Sequence, residues 1–175
     1  MGGYNFLRFG NIFDQGYATQ AVWYPPLIKA REYGLLSLVH IPGNIYHFLF
    51  ATPLPVLDQA GPPVLRFPYF KADPWGMSLF VTSPYLFFLF RAKYYDKLSK
   101  IILIAVFLAS IPMFLYYGVG WRQVGYRYAL DFFPLIFWLY IIKKAEEIPN
   151  ISSSLKWLVI LSSLVNLFFF YTVFG

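Results

Sequence analysis

The chain predicts an all-α integral membrane protein, with about four transmembrane helices following an extracytoplasmic N-terminal segment. Three observations carry this. Of 175 residues, 59% are apolar and 13% charged, against roughly 45–50% and about 25% in a soluble domain. The 20 Phe, 15 Tyr and 5 Trp are too many rings for one core of this size to bury while so little charge keeps the outside wet. Four apolar stretches also approach the ~20 residues needed to cross ~30 Å of hydrocarbon.

The expected spans are 75–90, 101–117, 125–142 and 155–174. The first is interrupted by Pro84, which should kink it and free a carbonyl for a neighbouring helix or a Ser/Thr to satisfy. The second holds Pro112, and the third holds Asp131 and Pro134. The fourth has no proline and is the clearest.

Lysine and arginine set the expected orientation. Arg91, Lys93, Lys97 and Lys100 follow the first span, and Lys143, Lys144 and Lys156 follow the third, whereas the 118–124 turn has only Arg122. The lysine-rich loops are therefore expected in the cytoplasm, in a multi-pass cytoplasmic (inner) membrane protein. The N-terminal segment and the turn GVGWRQVGYRY then lie outside. Trp75, Tyr116, Tyr117, Trp121, Tyr126 and Tyr128 fall at headgroup level, where such rings concentrate.

Residues 1–74 divide into two readings. Stretch 35–51 carries no Asp, Glu, Lys or Arg, yet Pro42, Gly43, Asn44, His40 and His47 interrupt it. From Pro42 onward, Ile45, Phe48 and Leu49 oppose Asn44 and His47 at helical spacing, which suits a helix lying in the interface. The alternative, a fifth span, moves only residues 1–34 to the cytoplasm. Residues 52–74 are proline-rich and are expected as an extended loop with local polyproline character. The interfacial reading puts some 75 residues outside with no export signal before them. The expectation is a C-terminal portion of a longer protein, with missing N-terminal helices of the parent as partners.

Asp131 is the sharpest chemical signal, because a charge inside a span usually has a partner or a task. On an α-helix Arg127 would share its face, as a structural pair or as part of a site. Arg122 and Arg127 beside Trp121, Tyr126 and Tyr128 suit a phosphate, since guanidinium forks match phosphate oxygens in pairs; ordinary headgroup anchoring also explains them. A second polar set is Arg8, Asn11, Asp14 and Gln15 in RFGNIFDQGY, where Gly10 and Gly16 bracket an expected turn that presents Asp14. His40 and His47 are roughly 10 Å apart along a helix, too far to share one ion, so both read as interfacial polar groups. Ser162, Ser163 and Asn166 are expected to hydrogen-bond to adjacent helices. The triplet Asn150–Ser152 matches a glycosylation acceptor in an expected cytoplasmic loop.

The zero cysteines exclude disulfides, a thiolate nucleophile and sulfur metal sites. No phosphate-binding glycine loop, nucleophile elbow, zinc motif or aspartate-rich motif occurs, and neither a metal nor a cofactor is expected. The net charge of +6 is dispersed beside apolar runs rather than gathered in a stripe, so membrane lipid is the expected partner and nucleic acid is not.

Four pieces, YNFLRFGNIFDQGY (4–17), GLLSLVHIPGNIYHFLFATP (34–53), FPYFKADPWGMSLFVTSP (67–84) and GWRQVGYRYALDFFPLIF (120–137), together resemble the C-terminal half of a family of large membrane proteins. That family is similar to the multi-spanning, C-type (GT-C-like) glycosyltransferases that use lipid-linked sugars. The resemblance implies sugar transfer on the outer face from a polyprenyl-phosphate donor. The acidic base of such enzymes generally sits in an early outer loop that nothing here matches, which implies a fragment inactive alone. By analogy Arg122 and Arg127 hold donor phosphate and Asp14 faces the acceptor; Arg8 and Asp131 join them as substrate-binding candidates. The rival expectation is a non-enzymatic transporter or membrane-assembly subunit, with Asp131 and Arg127 lining a pathway or fastening a partner.

Overall fold

The computed structural model describes residues 2–12, 16, 21–58, 63–147 and 152–175, with backbone alone at 145–147. In chain order the elements are α1 (Gly2–Phe9), α2 (Pro25–Glu32), a 3-10 turn (Leu38–His40) running into α3 (Ile41–Leu49), strands β1 (Leu54–Leu57) and β2 (Leu65–Lys71), α4 (Leu79–Thr82), a 3-10 helix (Pro84–Arg91), α5 (Lys97–Leu115), a 3-10 turn (Arg127–Asp131), α6 (Phe133–Glu147) and α7 (Ser153–Phe174). The protein is mostly helical with one two-stranded antiparallel sheet.

Two helices, α5 and α7, are long and apolar enough to cross a membrane, and only 17% and 11% of their most apolar windows are buried in the protein. A core helix of a water-soluble protein would be largely covered. Each begins on a capping side chain. The Asp96 carboxylate accepts from Ser99 N at 3.1 Å and from the Ser99 hydroxyl at 2.6 Å, and Ser152 Oγ accepts from Leu155 N. Such caps satisfy amides that have no partner within the helix.

The other two expected spans are not continuous helices. At 75–90 the chain turns at Gly76 (φ +98°), forms the single turn α4, and restarts at Pro84 as 3-10 helix. At 125–142 the 3-10 turn ends at Phe132, and α6 starts with Pro134 in its first turn. Proline is at home there, since it gives up a donor the helix start does not use. Pro84, expected as a kink, and Pro134, expected inside a span, thus both mark starts. With 15 residues, α6 is about 22 Å long at 1.5 Å per residue, short of the hydrocarbon thickness. Pro112 differs: α5 runs through it to Leu115.

At the break between α4 and the 3-10 helix, the Thr82 carbonyl accepts from Asn166 Nδ2 of α7 at 2.7 Å. Of the three polar residues of α7 expected to reach neighbouring helices, only Asn166 does. Ser162 and Ser163 donate to Leu158 O and Val159 O of their own helix, the nearest acceptors for a short hydroxyl.

The proline-rich segment is a hairpin rather than a polyproline loop. Leu54 pairs with Lys71, Pro55 with Phe70 and Leu57 with Leu65, with a register shift between 55 and 57. Both strands are edges, so proline can turn its donorless side away from the ladder. The 3-10 turn and α3 together cover only 38–49, too short for the fifth-span alternative at 35–51.

These elements have two chemically different ends. At one end Lys143 pairs with Asp96 at 3.0 Å, and Tyr140 packs with Leu86 and Leu89; this joins the C-terminal part of α6 to the start of α5 and the 3-10 helix ending at Arg91. At the other end Ala72 N donates to Thr172 Oγ1 at 3.2 Å, and Phe169 packs with Ala72 and Met77, so the finish of α7 meets the hairpin and the Trp75 turn.

The Ser99 and Lys143 hydrogen bonds hold the Asp96 carboxyl far below the usual carboxylate range. A folded pKa below the unfolded value of about 4 means that this stabilisation is complete above about pH 4 and is lost as pH falls through the lower folded value. Asp96→Asn should lower the thermal midpoint of detergent-solubilised protein at pH 7. The gap between variant and parent should persist down to about pH 4 and close only in more acidic solution.

Candidate functional site

The aromatic end is organised around Asn44 of α3. Helix α5 finishes with carbonyls that no further turn can satisfy, and the Asn44 amide supplies the donor: Nδ2 lies 3.0 Å from Phe114 O, 2.8 Å from Tyr116 O and 3.1 Å from His40 O. Two hydrogens serve three acceptors, so one is shared. On the other side Asn44 Oδ1 accepts from the Tyr126 hydroxyl at 2.9 Å. Asn44 and Tyr126 are each only 1% exposed. Backbone pairing continues the junction, with Ser37 N donating to Leu115 O and Tyr117 N to Leu35 O.

A second set of bonds ties the Trp75–Thr82 stretch to its neighbours. Met77 N donates to Val124 O at 2.9 Å, and Tyr126 N donates to Met77 O at 3.1 Å. Ser78 N donates to Ala51 O, and Ser78 Oγ to Leu49 O, both at 2.8 Å. The Gln123 amide donates to Trp75 O and Val119 O, each at 2.6 Å. Gly76 (φ +98°) and Gly120 (φ +106°) press on that amide, and a Cβ at either would strike it. His47 Nδ1 donates to Gly76 O at 2.9 Å. His40 is spoken for separately, donating from Nε2 to Gly34 O at 3.0 Å.

Over this network lies an aromatic cluster. Trp75 and Trp121 meet edge to face at 4.8 Å between centroids, and Tyr24 touches both, at 5.5 and 5.1 Å. The rings fill the space between one another, so they form a packed cap rather than an open cage. Beneath, Phe48 sits among Phe80, Phe114, Tyr126 and Phe132 at 5.6–6.4 Å.

Among the described residues, the candidates from sequence do not gather into one group. Arg122 (φ +51°) donates from Nη2 to Val173 O at 3.3 Å and lies over the Phe174 ring at 5.8 Å, so it turns to the finish of α7. Arg127 lies over the Tyr128 ring at 5.4 Å. The two share no hydrogen-bond or ring partner among the described residues. Both are exposed, and neither pairs with a carboxylate. Asp131 is exposed and makes no ion pair with Arg127. The expected pairing assumed α-helical spacing; on the observed 3-10 turn, residues four apart stand about 120° apart rather than about 40°. Arg8 donates to Tyr4 Oη at 2.9 Å within α1. Asp14 and Gln15 lie outside the described residues, as do Asn150 and Ile151 of the glycosylation triplet.

Sequence reasoning missed Asn44, Gln123 and Ser78. Asn44 was placed on an outward polar face, yet it is buried while Ile45 is 37% exposed. The available signal was an uncharged hydrogen-bonding residue inside an apolar stretch, which must find partners wherever water is scarce. Comparison with protein-family models, with curated proteins and with solved structures gives no match to this chain.

Truncating Asn44 leaves buried carbonyls without a donor, at a cost of about 1–3 kcal/mol each. Asn44→Ala should therefore lower the unfolding midpoint clearly more than Tyr126→Phe, measured by thermal denaturation in detergent. The double variant should melt no lower than Asn44→Ala alone, because the Tyr126 hydroxyl has by then already lost its acceptor.

Proposed function

We propose that this chain is the C-terminal part of a membrane glycosyltransferase that moves a sugar from a polyprenyl-phosphate donor on the outer face of the cytoplasmic membrane, with the aromatic end outermost. One observation carries the reading. Three of the four stretches that resemble such enzymes, 34–53, 67–84 and 120–137, meet in the single hydrogen-bonded network of Asn44, Tyr126, Met77, Ser78, Gly76 and His47. Stretches far apart in sequence that share a family's wording and also share one place are accounted for if that place is what the family preserves.

The physical setting agrees. Helices α5 and α7 expose apolar surface along their length, and Lys97, Lys100 and Lys156 in their first turns lie at the end away from the aromatic one, which supports this orientation. Arg122 and Arg127, exposed and without a carboxylate partner among the described residues, are suited to donor phosphate. Their separate ring partners make them two contacts rather than one fork. On this reading the donor's apolar chain lies in the bilayer beside α5 or α7, its phosphate meets the arginines, and the catalytic acid comes from a part of the parent outside this chain.

The test uses the full reading frame that contains this chain, expressed in membranes and supplied with polyprenyl-phosphate donors labelled in the sugar. Labelled product should form, and Arg122→Ala and Arg127→Ala should each lower transfer about tenfold or more, the loss expected for a charge-assisted bond worth about 1.5–3 kcal/mol, at unchanged protein level. A frame with no further helices upstream, or an intact protein that transfers no sugar, overturns the reading.

A further inference from the structure

The β1–β2 hairpin leaves side chains uncovered on both faces. Phe67 is 81% exposed, Tyr69 52% and Phe70 45%, and Val64 and Leu65 are also exposed. Arg66, paired with Asp58, and Lys71 stand among them. In water this would be an unstable arrangement, since a two-stranded hairpin is marginal alone and its apolar open edges invite aggregation.

Position identifies what meets this surface. Ala72, immediately after β2, bonds to Thr172 and packs with Phe169, so the hairpin stands beside the last turns of α7. Arg122 lies over Phe174 at the same end. The exposed apolar surface of α7 thus ends beside the hairpin.

We propose that the hairpin is a membrane-interface insert, placing Phe67, Tyr69 and Phe70 at the boundary between headgroups and acyl chains, with Lys71 and Arg66 beside lipid phosphates. This rests on the reading of α7 as a span. The depth follows from two opposed requirements. The outer edges of a two-stranded sheet carry backbone N–H and C=O groups with no ladder partner, which cannot be left in hydrocarbon. The exposed rings, in turn, favour leaving water. The interface satisfies both, as it does for tryptophan and tyrosine belts.

The chain has no cysteine, so single substitutions Val64→Cys, Phe67→Cys, Phe70→Cys and Leu164→Cys each accept one nitroxide label. None of the four positions is buried, so no core contact is removed. Labelled protein in bilayers of equal parts phosphatidylcholine and phosphatidylglycerol is read by collision with oxygen, which concentrates in hydrocarbon, and with a water-soluble nickel chelate. Labels at 64, 67 and 70 should favour oxygen over nickel, at a shallower depth than the label at 164. Hairpin labels that favour nickel, that are shielded from both reagents by protein, or that lie as deep as 164 overturn the proposal while 164 itself favours oxygen. A label at 164 that favours nickel removes the span and the insert together.

Discussion

The structure depends on how the aromatic end of α5 is closed. A long apolar helix finishes there with carbonyls that must be satisfied. The Asn44 side chain closes it, and in doing so fixes three segments to one another: α3, the finish of α5 and the stretch leading to Tyr126. Bonds through Met77, Ser78 and Gln123 then extend the junction to the Trp75 turn. Because buried amides and carbonyls are costly to leave unmade, the node is worth more as a set than as separate bonds. The arginines and the aromatic cluster take their positions from it.

The distribution of polarity runs against the habit of soluble proteins. Inside are Asn44, Gln123, Ser78, Thr82, Ser99, Ser110 and Ser162, while many large apolar residues of α5 and α7 face outward. An apolar solvent gives no reward for hiding leucine, but it penalises any unpaired hydrogen-bonding group. Helices then join through short polar contacts, as Asn166 does with Thr82 and Lys143 with Asp96. The same rule accounts for the inverted α3, where Asn44 points in and Ile45 is part-exposed.

Much of the helical character was legible because it rests on local facts. Stretches 101–117 and 155–174 are apolar without interruption or with one late proline, and both are helices. The broken stretches 75–90 and 125–142 are also largely apolar. What differs is where Pro84 and Pro134 fall relative to a helix start, and that depends on whether a neighbour can take up the freed groups. Asn166 does so at Thr82, a contact across 84 residues. The Arg127–Asp131 pairing failed for a related reason, since spacing predicts a shared face only once the type of helix is known. The prolines of 52–74 exclude a long helix and so suggest an extended loop, but they leave edge strands open, and β1 and β2 are both edges.

By itself the sequence determined that this chain carries more apolar and aromatic surface than its own folding can cover, that its lysines gather beside apolar runs, and that its clearest helix is α7. Those properties are sums over neighbouring residues, and no distant contact alters them. Only the tertiary structure decided which apolar stretches stay helical, which polar residues turn inward, and that residues near 44, 77 and 126 share one buried network. Each of those outcomes is a choice of hydrogen-bond partner, and the partner of a buried amide is set by which chain end comes within 3 Å of it, something one-dimensional spacing does not contain.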